Sequence, residues 1–166
     1  MSNWLYKGEN FTEIPEGYIG FVYIIECIPT GQKYIGRKIF YSTSRKIIKG
    51  STRRKKTVTE STWKSYFGSS EYMQLLIKSY GKEKFRREIL YLCKDKSSMS
   101  YLESKEIFIR DALLKDEYIN RWITCQIASK NLKSLLYKTR DLHNKENVES
   151  PLTFSSINDI VSEDIV

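Results

Sequence analysis

Cysteine, histidine and long apolar runs are what this sequence has least of, and each shortage removes a class of function. Its three cysteines, Cys27, Cys93 and Cys125, stand far apart with no CxxC pair. That argues against a disulfide framework or a zinc knuckle, and for free thiols in a reducing cytosol. The one histidine, His143, lies in a polar stretch, which argues against a histidine-based metal site or a Ser-His-Asp triad. The longest apolar run, Ile19 to Ile28, carries Glu26 inside it and is about half the ~20 residues that span a bilayer. The opening MSNWLYKGEN has no charged-then-apolar signal pattern. The expectation is a soluble, cytoplasmic protein with no membrane partner.

What the chain does have is positive charge, and in one place. Its 166 residues are 40% hydrophobic and 29% charged, with a net charge of +8. One packed domain with a tail is the simplest reading, and the composition argues against wholesale disorder. Between Arg37 and Lys64 stand ten basic residues (Arg37, Lys38, Arg45, Lys46, Lys49, Arg53, Arg54, Lys55, Lys56 and Lys64) against one acid, Glu60. That segment is +9 and the remaining 138 residues sum to −1. A local excess of this size favours an anionic partner.

The pattern predicts an α/β (α+β) domain over residues 18–138, preceded by a lead-in loop over 1–17 and followed by a flexible acidic tail over 139–166. GYIGFVYIIECI and QKYIGRKIF, joined by PTG, read as a β-hairpin whose first strand is central. The stretch from 41 to 59 shows neither helical nor strand period and reads as a loop or ragged hairpin. Ser69 or Ser70 caps a helix that stops at Gly81. FRREILYL, residues 85–92, reads as a third strand. A second helix is predicted from Ser98 or Ser100 to about Leu114, with Tyr101, Leu102, Phe108, Ile109, Ala112 and Leu113 in one apolar stripe. An amphipathic helix is predicted over 121–137. Residues 141–166 carry six acids and one lysine, which reads as a solvated tail. The sum is a small three-stranded mixed or antiparallel sheet flanked by helices.

The hairpin brings Phe21-Val22-Tyr23 and Tyr34-Ile35-Gly36 onto neighbouring strands. With them come WKSYFGSS, YGKEKFRREILYLC and YLESKEIF. Over residues 18–125 this order resembles the GIY-YIG nuclease superfamily. It is nearest in kind to small phage-encoded proteins of the Seg type, which are classed with homing endonucleases. The first motif is a variant, Phe21-Val22 standing for Gly-Ile, while Tyr34-Ile35-Gly36 matches in full. The resemblance implies metal-dependent hydrolysis of DNA phosphodiester bonds, in the cytoplasm of an infected host cell if the gene is a phage's. Tyr23 would take a proton from the attacking water, with Tyr34 beside it. Simple strand packing is the plainer role for both. A phenol titrates at ~10, so general-base work near pH 7 needs a bias of about 4 kcal/mol or transfer concerted with attack.

The resemblance also implies a glutamate on the helix after the third strand, holding one Mg²⁺ or Mn²⁺, with no small-molecule cofactor. Glu103 is the candidate. It could instead complete a capping box with Ser100, and the helical wheel turns Glu106 more toward the sheet. The superfamily's phosphate-gripping arginine falls by spacing on Arg45, with Lys38 the alternative. Asn120 corresponds to a late asparagine that supports the site, or else starts a helix. Arg37, Lys46, Lys49, Arg53, Arg54, Lys55 and Lys56 would clamp DNA phosphates beside the site, with Trp63 available for base stacking or core packing. No separate recognition module is evident, so specificity is weak or falls to residues 121–140, and the oligomeric state is left unassigned. The rival reading is a non-catalytic nucleic-acid-binding protein on a degenerate GIY-YIG scaffold; a third is an accessory protein acting through its tail.

Overall fold

A computed structural model of the protein describes residues 3–47 and 54–128, together with positions 131, 132 and 135; at 45–47, 54 and 55 only the backbone is described. Residues 1–134 form one compact unit. Among the described residues lie seven strands and two α-helices, with two short 3-10 turns. The expected tail over 139–166 falls outside the described residues, as do Lys49 and Arg53.

The sheet is larger than the sequence pattern predicts, with five strands in place of three. Its order is β2-β1-β7-β3-β4. The extra pair comes from the segment expected to be a lead-in loop. β1 (Trp4–Tyr6) and β2 (Glu9–Phe11) form a hairpin around Lys7 and Gly8, which both take positive φ. That is the conformation a tight two-residue hairpin turn requires, and Gly8 adopts it without a side-chain clash. β1 then adds parallel to β7 (Phe85–Cys93). β3 (Gly20–Cys27) and β4 (Lys33–Ile39) are the predicted hairpin, antiparallel and in register. β3 lies between β7 and β4 and is buried along nearly its whole length, as its unbroken apolar run requires. A register shift against β7 falls between Val22 and Tyr23. Such an irregularity re-aims the side chain beside it, here the motif tyrosine.

One face of the sheet carries an aromatic core of Trp4, Phe21, Tyr23, Phe40, Trp63, Phe67 and Phe85. Helix α1 (Glu71–Tyr80) seals it through Met73, Leu76 and Ile77, at the helical spacing of one face. Ser70 caps α1 by accepting from the Met73 N–H, and Gly81 ends it with φ +80°. Arg87, on the same strand as Phe85, donates from Nη1 to the carbonyls of Lys64 and Tyr66, each at 2.9 Å. Its guanidinium lies between the rings of Trp4 and Phe67, and burial lowers its pKa to about 10. It thus ties the chain at 64–66 to the sheet.

Helix α2 (Lys96–Ile109) packs against β3, β4 and β7. It starts earlier than expected, because Asp95 rather than a serine is its cap and accepts from the Ser98 N–H. Its buried face is also different. Met99, Leu102, Ser104, Glu106 and Ile107 are buried, while Tyr101, Phe108, Ile109 and Leu113 of the expected stripe are exposed. The wheel fails because this helix buries polar side chains. No helix is formed over 121–128, where one was predicted; the chain there is irregular. Of the loop or ragged hairpin expected over 41–59, the paired form is the one observed, and its strands are regular: β5 (Tyr41–Ile47) and β6 (Arg54–Glu60) pair antiparallel as a separate two-stranded ribbon. Among the described residues, no helix is long and apolar enough to cross a membrane.

Candidate active site

β4 is the outer strand of the sheet, so side chains from its two faces can meet around its edge. In antiparallel register Tyr23 lies opposite Gly36 and Ile25 opposite Tyr34, while Val22 lies opposite Arg37. Opposed residues share a face. The tyrosines therefore come from the aromatic face and Arg37 from the face that α2 covers. They border one cleft of about 710 Å³, together with Ser69, Glu103 and Asn120.

Gly36 is what lets the two tyrosines sit there. A Cβ at that position would lie 2.5 Å from the Tyr23 hydroxyl and 3.1 Å from the Tyr34 ring. Only hydrogen fits. Tyr23 is fully buried and wedged between Trp4 and Tyr66, with Tyr34 6.3 Å away between ring centroids. Burial, reinforced by Tyr66 and Tyr34, pushes the Tyr23 phenol well above its ordinary pKa. Tyr34 is half-buried and shifted up by burial, partly offset by a hydrogen bond to Ser69. Both are neutral phenols at neutral pH.

Glu103 reaches the same cluster from α2, in the third turn of the helix. It is too far from the N-terminus to be a cap, and Asp95 already holds that role. Burial pushes its carboxyl up, while the Arg37 guanidinium, with Nε 3.3 Å from Oε2, pulls it down. Arg37 also donates to the Ser100 hydroxyl. Glu106 is committed elsewhere. It accepts from the Tyr91 hydroxyl at 2.6 Å and from Arg110 Nε at 2.8 Å.

Asn120 starts no helix. Its side chain imitates a strand, accepting from the Ile35 N–H at 3.0 Å and donating to the Ile35 carbonyl at 2.8 Å. Just before it, backbone bonds between Lys33 and residues 117 and 119 run the chain along the same edge. Asn120 is where that pairing stops and the cleft opens.

The remaining expected residues fall elsewhere. Lys38 lies opposite Phe21 with Nζ 4.1 Å over the Tyr66 ring, and burial lowers its pKa. Arg45 is on β5, opposite Lys56, and the described arginines that line the cleft are Arg37 and Arg121. Trp63 is not available to a base: it is fully buried, packed on Phe21 and Phe40, with its indole N–H donating to Glu60. Lys56 is exposed on the ribbon, where Lys46, Arg54 and Lys55 also lie. The sequence reading offered Ser69 only as a helix cap and Arg37 only as a phosphate clamp, and missed Ser69 on the cleft wall and the contact of Arg37 with Glu103. Arg37 could have been found from the two-residue period, which puts it on the Ile35 face, where α2 must pack. Among the described residues, no three His, Cys, Asp or Glu side chains converge as a metal cluster.

The profile of the family described as "Putative endonuclease segE, GIY-YIG domain" matches residues 4–123. That span begins at β1, so the N-terminal hairpin is part of the domain. No curated protein and no solved structure gives a significant match.

Proposed function

The chain belongs to the GIY-YIG endonuclease family, and from that premise we propose that it is a metal-dependent endonuclease hydrolysing phosphodiester bonds in DNA. One observation carries the reading. The two motif tyrosines, the Glu103 carboxylate and the Arg37 guanidinium, drawn from β3, β4 and α2, border the same cleft. In this reading Tyr23 accepts the proton of the attacking water, with Tyr34 beside it at the more open side. Because burial raises Tyr23, proton transfer has to be concerted with attack instead of preceding it. Arg37 takes the phosphate-gripping role expected of Arg45 or Lys38, since a guanidinium can hold two phosphate oxygens. Asn120 keeps the β4 edge, and with it Tyr34, in place.

The donor set suits Mg²⁺ or Mn²⁺ held by Glu103. Mg²⁺ is commonly bound through one or two carboxylates plus substrate phosphate, keeping several waters, and the cleft offers Glu103 beside the tyrosines, with Glu71 also on its wall. Bound there, a divalent cation supplies charge neutralisation at the phosphate and the leaving oxygen.

The rival, a non-catalytic DNA-binding protein, has a specific observation in its favour: Glu103 is already paired with Arg37. A plasmid-nicking assay in Mg²⁺ against EDTA separates the two. Metal-dependent nicking, lost by at least ~10²-fold in Tyr23→Phe with DNA affinity within a few-fold, is the expected result. Binding without nicking supports the rival. Nicking that survives Tyr23→Phe but not Tyr34→Phe moves the base assignment to Tyr34.

A further inference from the structure

The β5–β6 ribbon has no evident reason to be stable by itself. Every position on it whose side chain is described, 41–44 and 56–60, is exposed, so neither face is buried against another layer. A lone two-stranded hairpin is marginal in water. This one also has like charges in direct register, with Arg45 opposite Lys56 and Lys46 opposite Lys55, an arrangement that destabilises a strand pair. From 45 to 56 there are seven cations and no acid. Lysines do guard exposed strand edges against aggregation. That function needs a charge or two per edge, whereas here both strands and the residues between them are basic. A polyanion relieves the repulsion, and it is the one partner class that this register suits.

The form of the ribbon narrows the partner further. Each strand has seven residues, about 24 Å at ~3.4 Å per residue, and the two strands lie ~4.8 Å apart. The major groove of B-DNA, ~12 Å wide, admits a two-stranded ribbon as it stands, whereas the minor groove, ~6 Å wide, has to be deformed to take one. The side chains are also unequal. Ser42 lies opposite Thr59 and Ser44 opposite Thr57, giving one face four exposed hydroxyls. Hydroxyls add nothing to phosphate attraction at long range, but they can donate to or accept from base edges.

We propose that the β5–β6 ribbon is a groove-reading element, which enters the major groove of duplex DNA with its Ser42, Ser44, Thr57 and Thr59 face against base edges and its cations against the flanking phosphates. This goes beyond a sequence-blind phosphate clamp. It rests on the nuclease reading for its substrate, and it moves specificity from residues 121–140 to the ribbon. The path also bounds the geometry. Ten residues separate Gly36 from Lys46, at most ~34 Å of extended chain, about one turn of DNA. Cleavage therefore falls within roughly one turn of the bases that are read.

The test is selection from a randomised 20-bp duplex pool (length set at about two helical turns) with the full chain in Ca²⁺. The parent is expected to enrich a short motif. Ser44→Ala/Thr57→Ala, which changes no charge, should flatten preference by about 5- to 10-fold at the affected positions while leaving the salt dependence of binding unchanged. Ser42→Ala/Thr59→Ala provides a second, independent pair. Replacing the motif's purines with 7-deazapurines, which lack the major-groove N7 acceptor, should weaken binding, and inosine in place of guanine, a minor-groove change, should not. No enriched motif, a motif indifferent to both hydroxyl pairs, or sensitivity to inosine alone would each overturn the proposal. Plasmid nicking in Mg²⁺ on the same preparation keeps the two readings apart. Nicking without a motif sinks only the groove reading, and a motif without nicking sinks only the nuclease.

Discussion

Replacing Gly36 with alanine would place a methyl group 2.5 Å from the Tyr23 hydroxyl oxygen and 2.7 Å from its ring carbon. Ordinary contact begins near 3.4 Å, so Tyr23 would have to retreat by about 1 Å. It has nowhere to go, because Trp4, Phe21 and Tyr66 pack around the ring. Overpacking of this kind costs about 1–3 kcal/mol, against a gain of at most ~1 kcal/mol from removing a strand glycine. The net expectation is a loss of up to about 2 kcal/mol. A displacement of ~1 Å at a reacting group costs on the order of 10² in rate, while the basic ribbon, whose pairing does not involve Gly36, should bind DNA as before. Urea denaturation measures the first quantity, single-turnover plasmid cleavage the second and anisotropy in Ca²⁺ the third. A variant with parental stability and parental rate would refute the argument that this glycine exists to seat the two tyrosines.

Three further expectations follow from the same geometry. Glu103→Ala should abolish cleavage and measurable Mg²⁺ binding, whereas Glu106→Ala, which strands the Tyr91 hydroxyl and Arg110, should cost about 1–3 kcal/mol of stability with activity retained; the reverse pattern would exchange their roles. Neutralising Arg53, Arg54, Lys55 and Lys56 together should flatten the salt slope of binding, expected at roughly −5 to −7, by about three to four, and an unchanged slope would mean these charges are solvated decoration. The hydrogen bond to Glu106, followed by burial, holds the Tyr91 phenol up at about 12. Its proton is bound more tightly in the folded state, so its stabilising contribution is intact below about pH 10 and fades as pH rises toward 12. Tyr91→Phe should therefore melt lower at neutral pH and approach the parent between pH 10 and 12; a constant difference across that range would refute the linkage.

What could be read from sequence was whatever local pattern dictates. Ser70 and Gly81 bracket α1 through capping chemistry that needs no tertiary partner, and the β3 run is apolar enough to require a central strand. β1 and β2 escaped because three residues each are too short to show a period, although the Lys7-Gly8 turn is visible once sought. Residues 121–128 have the spacing of an amphipathic helix, yet the β4 edge takes residues 117–120 as an extended partner and the chain beyond stays irregular. On α2, Glu106 and Ser104 are buried, the former held by Tyr91 and Arg110, and a wheel that rewards only apolar residues points away from the true face. The tyrosines, Glu103 and Asn120 could be named from motif context. The two-residue period places Arg37 on the Ile35 face, but that it meets the tyrosines of the opposite face depends on the two faces joining around the sheet edge, which that period does not encode.

The order of pairing along the chain sets a timetable for making this protein. β1 can add to the sheet only after β7, some eighty residues later, has emerged, and β3, which can pair with β4 at once, gains its second neighbour only then. Glu103 and Asn120 arrive later still. At ~5–20 residues per second, about 5–20 s separates synthesis of Tyr23 from that of Asn120. During that interval the cleft does not exist, so a nascent or prematurely terminated chain carries its basic ribbon without the means to cut.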